Sequence, residues 1–225
     1  SAIEDHFDHS YELEKTLLAK GKTEALSMVR DLIHKPGSVS YVRQQDPAGL
    51  GHAVWCARNM VHDEPVAVLL ADDLILGQSC IAEMVAHYRG GNMVAVMNVA
   101  TDQTLAYGII TPGKDDGKLI EVTGLVEKPQ PKDAPSNIAV VGRYIIEPAI
   151  FQILSNVQRG TGGEVQLTDA LAQQIGNSAF YGLRFSGERF DCGSKMGFLK
   201  ANIAFAMANE NLAPELQEWI RGRYS

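Results

Sequence analysis

Residues 65–73 read Pro-Val-Ala-Val-Leu-Leu-Ala-Asp-Asp, and the fold turns on them. The apolar run 65–71 is almost unbroken and rich in Val and Leu. That pattern predicts a strand buried on both faces, as in a parallel sheet. Two carboxylates, Asp72 and Asp73, follow at once, and acids placed where a strand ends invite a functional reading.

Moving outward, the Gly-bearing loop 45–51 leads into a predicted helix over 52–60. Residues 80–88 have helical character, and 93–99 form a second buried apolar run. A first strand is expected over 39–43, after two helical segments, with Ile3, Phe7, Tyr11 and Leu18 at roughly helical spacing. Strand, helix, strand, helix, strand implies βαβ units. The expected class is therefore α/β, a mostly parallel doubly wound sheet with right-handed crossovers.

After Asn98 the texture changes. Stretches 107–111, 119–127 and 138–146 are strand-like and separated by Pro, Gly and Asp, which predicts antiparallel strands added at the sheet edge. Helices are expected over 148–154, 167–175 and 196–208, the last preceded by a short strand and Phe190-Asp191-Cys192-Gly193. A final half-apolar helix, 214–223, carries Trp219.

Composition narrows the function. The chain has 225 residues, 45% hydrophobic and 21% charged, enough for a sizeable core without staples. Its net charge of −7 argues against nucleic acid as partner, yet leaves nucleotides open, because a few local cations and backbone amides can hold a phosphate. No apolar run suggests a membrane span or a signal peptide. Three cysteines, without a CxxC pair, read as reduced and place the protein in the cytoplasm. The six histidines show no zinc spacing.

The candidate chemistry sits at strand ends. Asp72 and Asp191 are acids at two apparent strand ends, and such a pair can share one Mg²⁺ held against phosphate oxygens. Either one alone also suits a cap or a turn. Glu127-Lys128-Pro129 closes a strand with an acid that can bind sugar hydroxyls and a base that can meet a phosphate, or with a solvated ion pair. The loop from Gln44 to Gly51 could approach a flat ring, and a Gln amide can pair with a base edge, though a plain helix start explains it equally. Gly162-Gly163-Glu164 and Thr168-Asp169 bracket a helix start, which capping largely explains. His52 reads as a packed helix residue and Tyr144 as strand packing.

Taken in order, HFDHSYELE, VRQQDPAGLGHAVWCA, VAVLLADD, AYGII, LVEKP, APSNIAVVGRYII, GGEVQLTDA and FDCGSKMGF resemble the bacterial UTP–glucose-1-phosphate uridylyltransferases. The resemblance runs to about Ala208. It implies a Rossmann-like α/β nucleotidyltransferase domain over 1–208, with 209–225 a C-terminal helix and candidate oligomer contact. It implies an enzyme of nucleotide sugar biosynthesis that joins UTP and glucose 1-phosphate into UDP-glucose and pyrophosphate. Mg²⁺ would be the cofactor, and a homodimer or homotetramer the assembly.

By motif, the resemblance makes Asp72, Lys128 and Asp191 catalytic, with Mg²⁺ on Asp72 and Asp191 rather than on Asp73. Gln44 and Gly49 would read the uracil. Gly108, Glu127, Asn137, Val140 and Tyr144 would serve the sugar, and Lys128 its phosphate. The family's opening strand, its Gly-rich GxGTRxLPxTKxxPKE loop and its second strand do not occur in this sequence. The expectation is a chain lacking its N-terminal catalytic segment, poorly stable and nearly inactive alone. Two other readings share many of these residues: a thymidylyltransferase using dTTP, and a non-catalytic nucleotide-sugar-binding module.

Overall fold

The computed structural model describes residues 2–33, 35–156, 160 and 163–224. The chain forms two compact units, Ser1–Gln45 and Asp46–Ser225.

The first unit holds α1 (Ala2–His6), α2 (Tyr11–Ala19) and α3 (Thr23–Asp31). Glu14 of α2 ties them locally. One carboxylate oxygen lies 2.9 Å from His9 Nδ1, and the other accepts from Arg30 Nε of α3 at 2.8 Å. The strand expected over 39–43 is not formed. Apolar alternation alone does not make a strand, and among the described residues no ladder partner lies beside this segment.

The second unit begins with α4 (Leu50–Cys56) and a 3₁₀ turn at Arg58–Met60, where one helix was expected over 52–60. It continues with β1 (Val66–Leu69), β2 (Asp73–Leu76), α5 (Cys80–His87) and β3 (Asn92–Asn98). Next come β4 (Gly108–Asp115), β5 (Leu119–Glu127), β6 (Ile138–Ile146), α6 (Ile150–Asn156) and α7 (Leu167–Ala172). The last elements are β7 (Phe180–Arg184), β8 (Glu188–Asp191), α8 (Lys195–Ala208) and α9 (Ala213–Tyr224). Among the described residues no helix is long and apolar enough to cross a membrane.

Six strands form one mixed sheet in the order β1-β6-β3-β7-β5-β4, and β2 pairs with β8 in a separate ribbon. The sheet is Rossmann-like in one respect: β1, β3 and β7 all point the same way. Only β3–β7 is a parallel pair, however, and the rest are antiparallel, so the expectation of mostly parallel pairing is corrected.

The correction has one source. β6 lies between β1 and β3 and runs against both, instead of joining the edge. Its composition suits that place, since all but one of its residues are buried. β1 in turn becomes an edge strand whose residues are alternately half-buried and exposed, not buried on both faces.

Helices cover both faces. Val94, Val96, Ile110, Ile146, Leu167 and Leu171 pack on the side of α4, α6 and α7. Met93, Val141, Ile145 and Leu183 pack against Cys80 and Met84 of α5 on the other face. Each fully buried large aliphatic residue contributes about 1.5–3 kcal/mol relative to exposure.

α5 starts cleanly because Ser79 Oγ accepts from the Ala82 amide at 3.4 Å. Its Glu83 is buried, and there it accepts from Lys118 Nζ and, at 3.0 Å each, from the Ser186 amide and hydroxyl. Burial pushes this carboxyl up, but Lys118 and then Ser186 outweigh burial and hold it below its ordinary 4.5. A depressed carboxylate stabilises the fold fully above the ordinary value, and that contribution is lost as pH falls through the folded value. The melting temperature of the wild type should therefore fall more steeply below pH 4.5 than that of Glu83→Gln. Parallel acid limbs in the two melting curves would refute the role of this pair.

Candidate active site

A cleft of about 340 Å³ opens in the second unit where β1, β5, β6 and the β2–β8 ribbon converge. One wall carries Asp72, Asp73, Asp191 and Arg189, and the facing wall carries Tyr107, Glu127, Lys128 and Thr168. Gly108, Val140 and Tyr144 complete the part of the lining that the sequence singled out.

The acidic wall is built by register. Asp73 of β2 lies opposite Asp191 of β8. The ribbon extends one step further, because the Cys192 amide donates to the Asp72 carbonyl at 2.7 Å. This brings together the ends of two segments far apart in sequence. A Cβ placed on Gly193 would lie 3.1 Å from Asp191 Oδ1 and 3.3 Å from Asp72 Oδ2. The two carboxylates thus converge beside Gly193, whose amide donates to Asp191 Oδ1 at 3.0 Å.

Asp73 is used differently. It is buried, one oxygen accepts from the Gly142 amide at 2.6 Å, and the other accepts from Arg189 Nε at 2.5 Å. Burial pulls the Arg189 guanidinium down, but Asp73 and then Tyr107 outweigh it, so its pKa ends above the ordinary value. Arg143 of β6 donates to the carbonyls of Leu70, Asp73 and Gly142, so the backbone before and after Asp72 is held from beneath.

On the opposite wall Glu127 ends β5. Its Oε2 accepts from Thr168 Oγ1 at 2.7 Å, and its Oε1 lies 3.5 Å from Lys128 Nζ. Lys128 has φ of +48°, the one non-Gly residue with positive φ among those described. Such a conformation costs on the order of 1–3 kcal/mol and gathers where function holds the chain. It persists here because the Lys128 amide donates to the Tyr107 carbonyl at 3.0 Å while Pro129 follows. Gly108 leaves room for the Thr168–Glu127 contact, since a Cβ there would lie 2.8 Å from Thr168 Cγ2 and 3.3 Å from Glu127 Oε2. Burial, then Glu127 and Asp73, push the Tyr144 hydroxyl well above its usual range, so it stays protonated at neutral pH.

Seven of the sequence-derived site residues therefore line one cleft: Asp72, Gly108, Glu127, Lys128, Val140, Tyr144 and Asp191. Gly49 and Asn137 are not in its lining. Gly49 adopts φ of +101°, and a Cβ there would lie 2.7 Å from the Val165 carbonyl, so it serves a close backbone approach beside the lining residues Leu50 and Glu164. Asn137 is exposed, and its carbonyl accepts from the Val99 amide at 2.9 Å. Gln44 belongs to the other unit. Gly162 lies outside the described residues.

Thr168 is no helix cap. Gln166 holds the N-cap position of α7, and the Thr168 hydroxyl spans to Glu127 instead. Arg189 was not singled out at all. The signal for it was present: residues 189 and 191 alternate in a strand, so they share a face.

Residues 10–207 match the family described as Nucleotidyl transferase. A UTP–glucose-1-phosphate uridylyltransferase of Komagataeibacter xylinus is 47% identical over 213 residues, covering 93% of this chain and 75% of the relative. The chain belongs to the nucleotidyl transferases, in the UTP–glucose-1-phosphate uridylyltransferase family. A second member of the family, from Bacillus subtilis (strain 168), is 42% identical across 98% of this chain and 76% of its own length. Among solved structures, a UTP-bound UGPase from Acinetobacter baumannii superposes with a TM-score of 0.86 at 35% identity, over 100% of this chain and 79% of that one. A UDP-glucose pyrophosphorylase complexed with UDP-glucose gives 0.82 at 38% identity, over 92% and 77%. The chain thus has the Rossmann-like α/β fold of a nucleotidyl transferase.

Proposed function

We infer that this enzyme joins UTP and glucose 1-phosphate into UDP-glucose and pyrophosphate. The observation that carries the reading is the single cleft in which Asp72 and Asp191 converge beside Gly193, across from Glu127 and Lys128. In such a reaction a phosphate oxygen of glucose 1-phosphate attacks the α-phosphorus of UTP in line, and pyrophosphate leaves. No protein nucleophile is needed, so catalysis rests on positioning and on charge.

Glu127, oriented by Thr168, accepts hydrogen bonds from sugar hydroxyls. Lys128 lies against the phosphate next to the sugar, and its fixed backbone holds that charge in place. Gly108 admits the sugar close to the backbone, with Val140 and Tyr144 behind it. Gln44 and Gly49 are assigned to the uracil by family motif alone, and Asn137 likewise to the sugar side.

The donor set fits Mg²⁺. This ion binds through one or two carboxylates together with substrate phosphates and water, and no larger cluster is required. The pair Asp72 and Asp191, converging beside Gly193, is the donor set in this reading. When bound there, Mg²⁺ supplies positive charge to phosphate oxygens. Residues 1–208 form the transferase domain in this reading. α9 is assigned to contact between copies in a homodimer or homotetramer, and the enzyme works in the cytoplasm.

The test is pyrophosphate release, in Mg²⁺, by the chain joined to the family's N-terminal Gly-rich segment, from glucose 1-phosphate with UTP or with dTTP. Turnover with UTP about 10–100-fold above that with dTTP is expected, since the two differ only by the thymine methyl and the ribose 2′-hydroxyl, and one methyl-sized group discriminates by about 10–200-fold. Equal rates would favour the thymidylyl reading. A folded protein that binds UDP-glucose but turns over neither nucleotide would favour a binding module.

A further inference from the structure

Asp73 and Asp191 lie directly opposite each other on the β2–β8 ribbon, so both side chains project from the same face. Like charges so placed repel. Arg189, two residues before Asp191, shares that face and fills the space between them. Its Nη2 is 2.5 Å from Asp73 Oδ1 and 3.9 Å from Asp191 Oδ2. Its Nη1 donates to Tyr107 Oη at 2.9 Å, and its guanidinium lies 5.2 Å from the centre of the Tyr107 ring. The carbonyl of Tyr107 in turn accepts the Lys128 amide at 3.0 Å. One side chain therefore links the acidic wall to the wall that carries Lys128.

The arrangement is rigid. The Arg189 side chain is only 10% exposed, and both oxygens of Asp73 are engaged, by Gly142 and by Arg189. Asp73 is thereby excluded as a ligand. Three carboxylates offset by one guanidinium leave two negative charges, the complement of a divalent cation.

We propose that Arg189 is a positioning residue for the Asp72–Asp191 pair, clamped by Asp73 and Tyr107 so that the Asp191 carboxylate keeps facing Asp72. The inference rests on the reading of Asp72 and Asp191 as the cation-holding pair. Asp73 and Arg189 act in this proposal through Asp191 and not as ligands. Their role is to make the ligand geometry exist before the cation arrives, as outer partners of metal ligands commonly do.

Removing Arg189 alone would leave Asp73 buried and uncompensated, which is strongly destabilising. The informative variant is therefore the double substitution Asp73→Asn with Arg189→Met, which removes both charges. Mn²⁺ affinity is measured by electron paramagnetic resonance on the full chain holding UDP-glucose. UDP-glucose affinity in EDTA is measured by calorimetry. The double variant should bind Mn²⁺ about 10-fold or more weakly, while its UDP-glucose affinity in EDTA stays within about 2-fold of wild type. Arg189→Lys, which keeps the charge but not the planar fork, should recover part of the Mn²⁺ affinity.

Wild-type Mn²⁺ affinity in the double variant, with Asp72→Asn impaired, would overturn the role of Arg189 alone. Unchanged Mn²⁺ affinity in Asp72→Asn would overturn the paired-carboxylate reading itself. If the double variant does not fold, Tyr107→Phe carries the test. It keeps the ring and removes one acceptor, and Mn²⁺ affinity identical to wild type would then count against the clamp.

Discussion

Asp72→Asn should lower pyrophosphate release by about 10³-fold while leaving the melting temperature unchanged, because removing one charged group aimed at a reacting phosphate costs on the order of 10²–10³ in turnover. The two halves of this expectation have different structural grounds. Asp72 is exposed to the cleft, and the contact that binds it to the ribbon runs through its carbonyl, which Asn retains. Its carboxylate converges with that of Asp191 beside Gly193. Asn keeps the shape and removes the charge, so the loss should fall on turnover and on cation affinity, with little change in UDP-glucose binding measured in EDTA. Asp73→Asn should behave in the opposite way. It leaves Arg189 without its buried counter-charge and costs about 3–5 kcal/mol of stability. If Asp72→Asn retained more than a tenth of wild-type turnover, the assignment of Asp72 would be wrong. If it melted as low as Asp73→Asn, the two acids would have been read in the wrong order.

The second large effect is expected at Gly197. A Cβ on this residue would fall onto the Asp191 carbonyl and lie 2.8 Å from Ser194 Oγ. Ser194 is the N-cap of α8, and its hydroxyl accepts from the Gly197 amide at 3.0 Å. Gly197→Ala must therefore push the first turn of α8 away from the end of β8. Overpacking of this kind costs about 1–3 kcal/mol and a disturbed cap about 1 kcal/mol more. Ala is the better helix former by about 1 kcal/mol, which opposes the loss. The net should be destabilisation by about 2 kcal/mol, or roughly 4–8 °C in a chain of this size. Because the strained contact is with Asp191 itself, cation affinity should fall as well. A melting temperature at or above that of wild type would show that helix propensity wins and that α8 is free to shift.

Several particulars of this protein were legible in its residues. The runs that became β3, β5 and β6 are long and apolar, and burial alone marks such segments. The cluster Asp72, Glu127, Lys128 and Asp191 was legible too, through strand ends and family motifs, and all four line one cleft. The run 65–71 misled in one respect. Its apolar content was read as burial on both faces, yet β1 is an edge strand in this chain. Segment 39–43 misled likewise, since alternation marks a strand only where a partner accepts its hydrogen bonds.

Local sequence thus determined most of the helices, the buried strands β3, β5 and β6, and which charged residues stand at strand ends. These properties depend on residue type and spacing along a few turns of chain. Tertiary structure alone decided that β6 inserts between β1 and β3 in the opposite direction. It gave the physical ground for separating Asp72, which is exposed, from Asp73, which is buried against Arg189 and Gly142. It alone made Thr168 a support for Glu127 instead of a cap. Each of these rests on pairing between residues distant in sequence, set by ladder register and by the need to compensate every buried charge. No window along the chain contains both partners of such a pair.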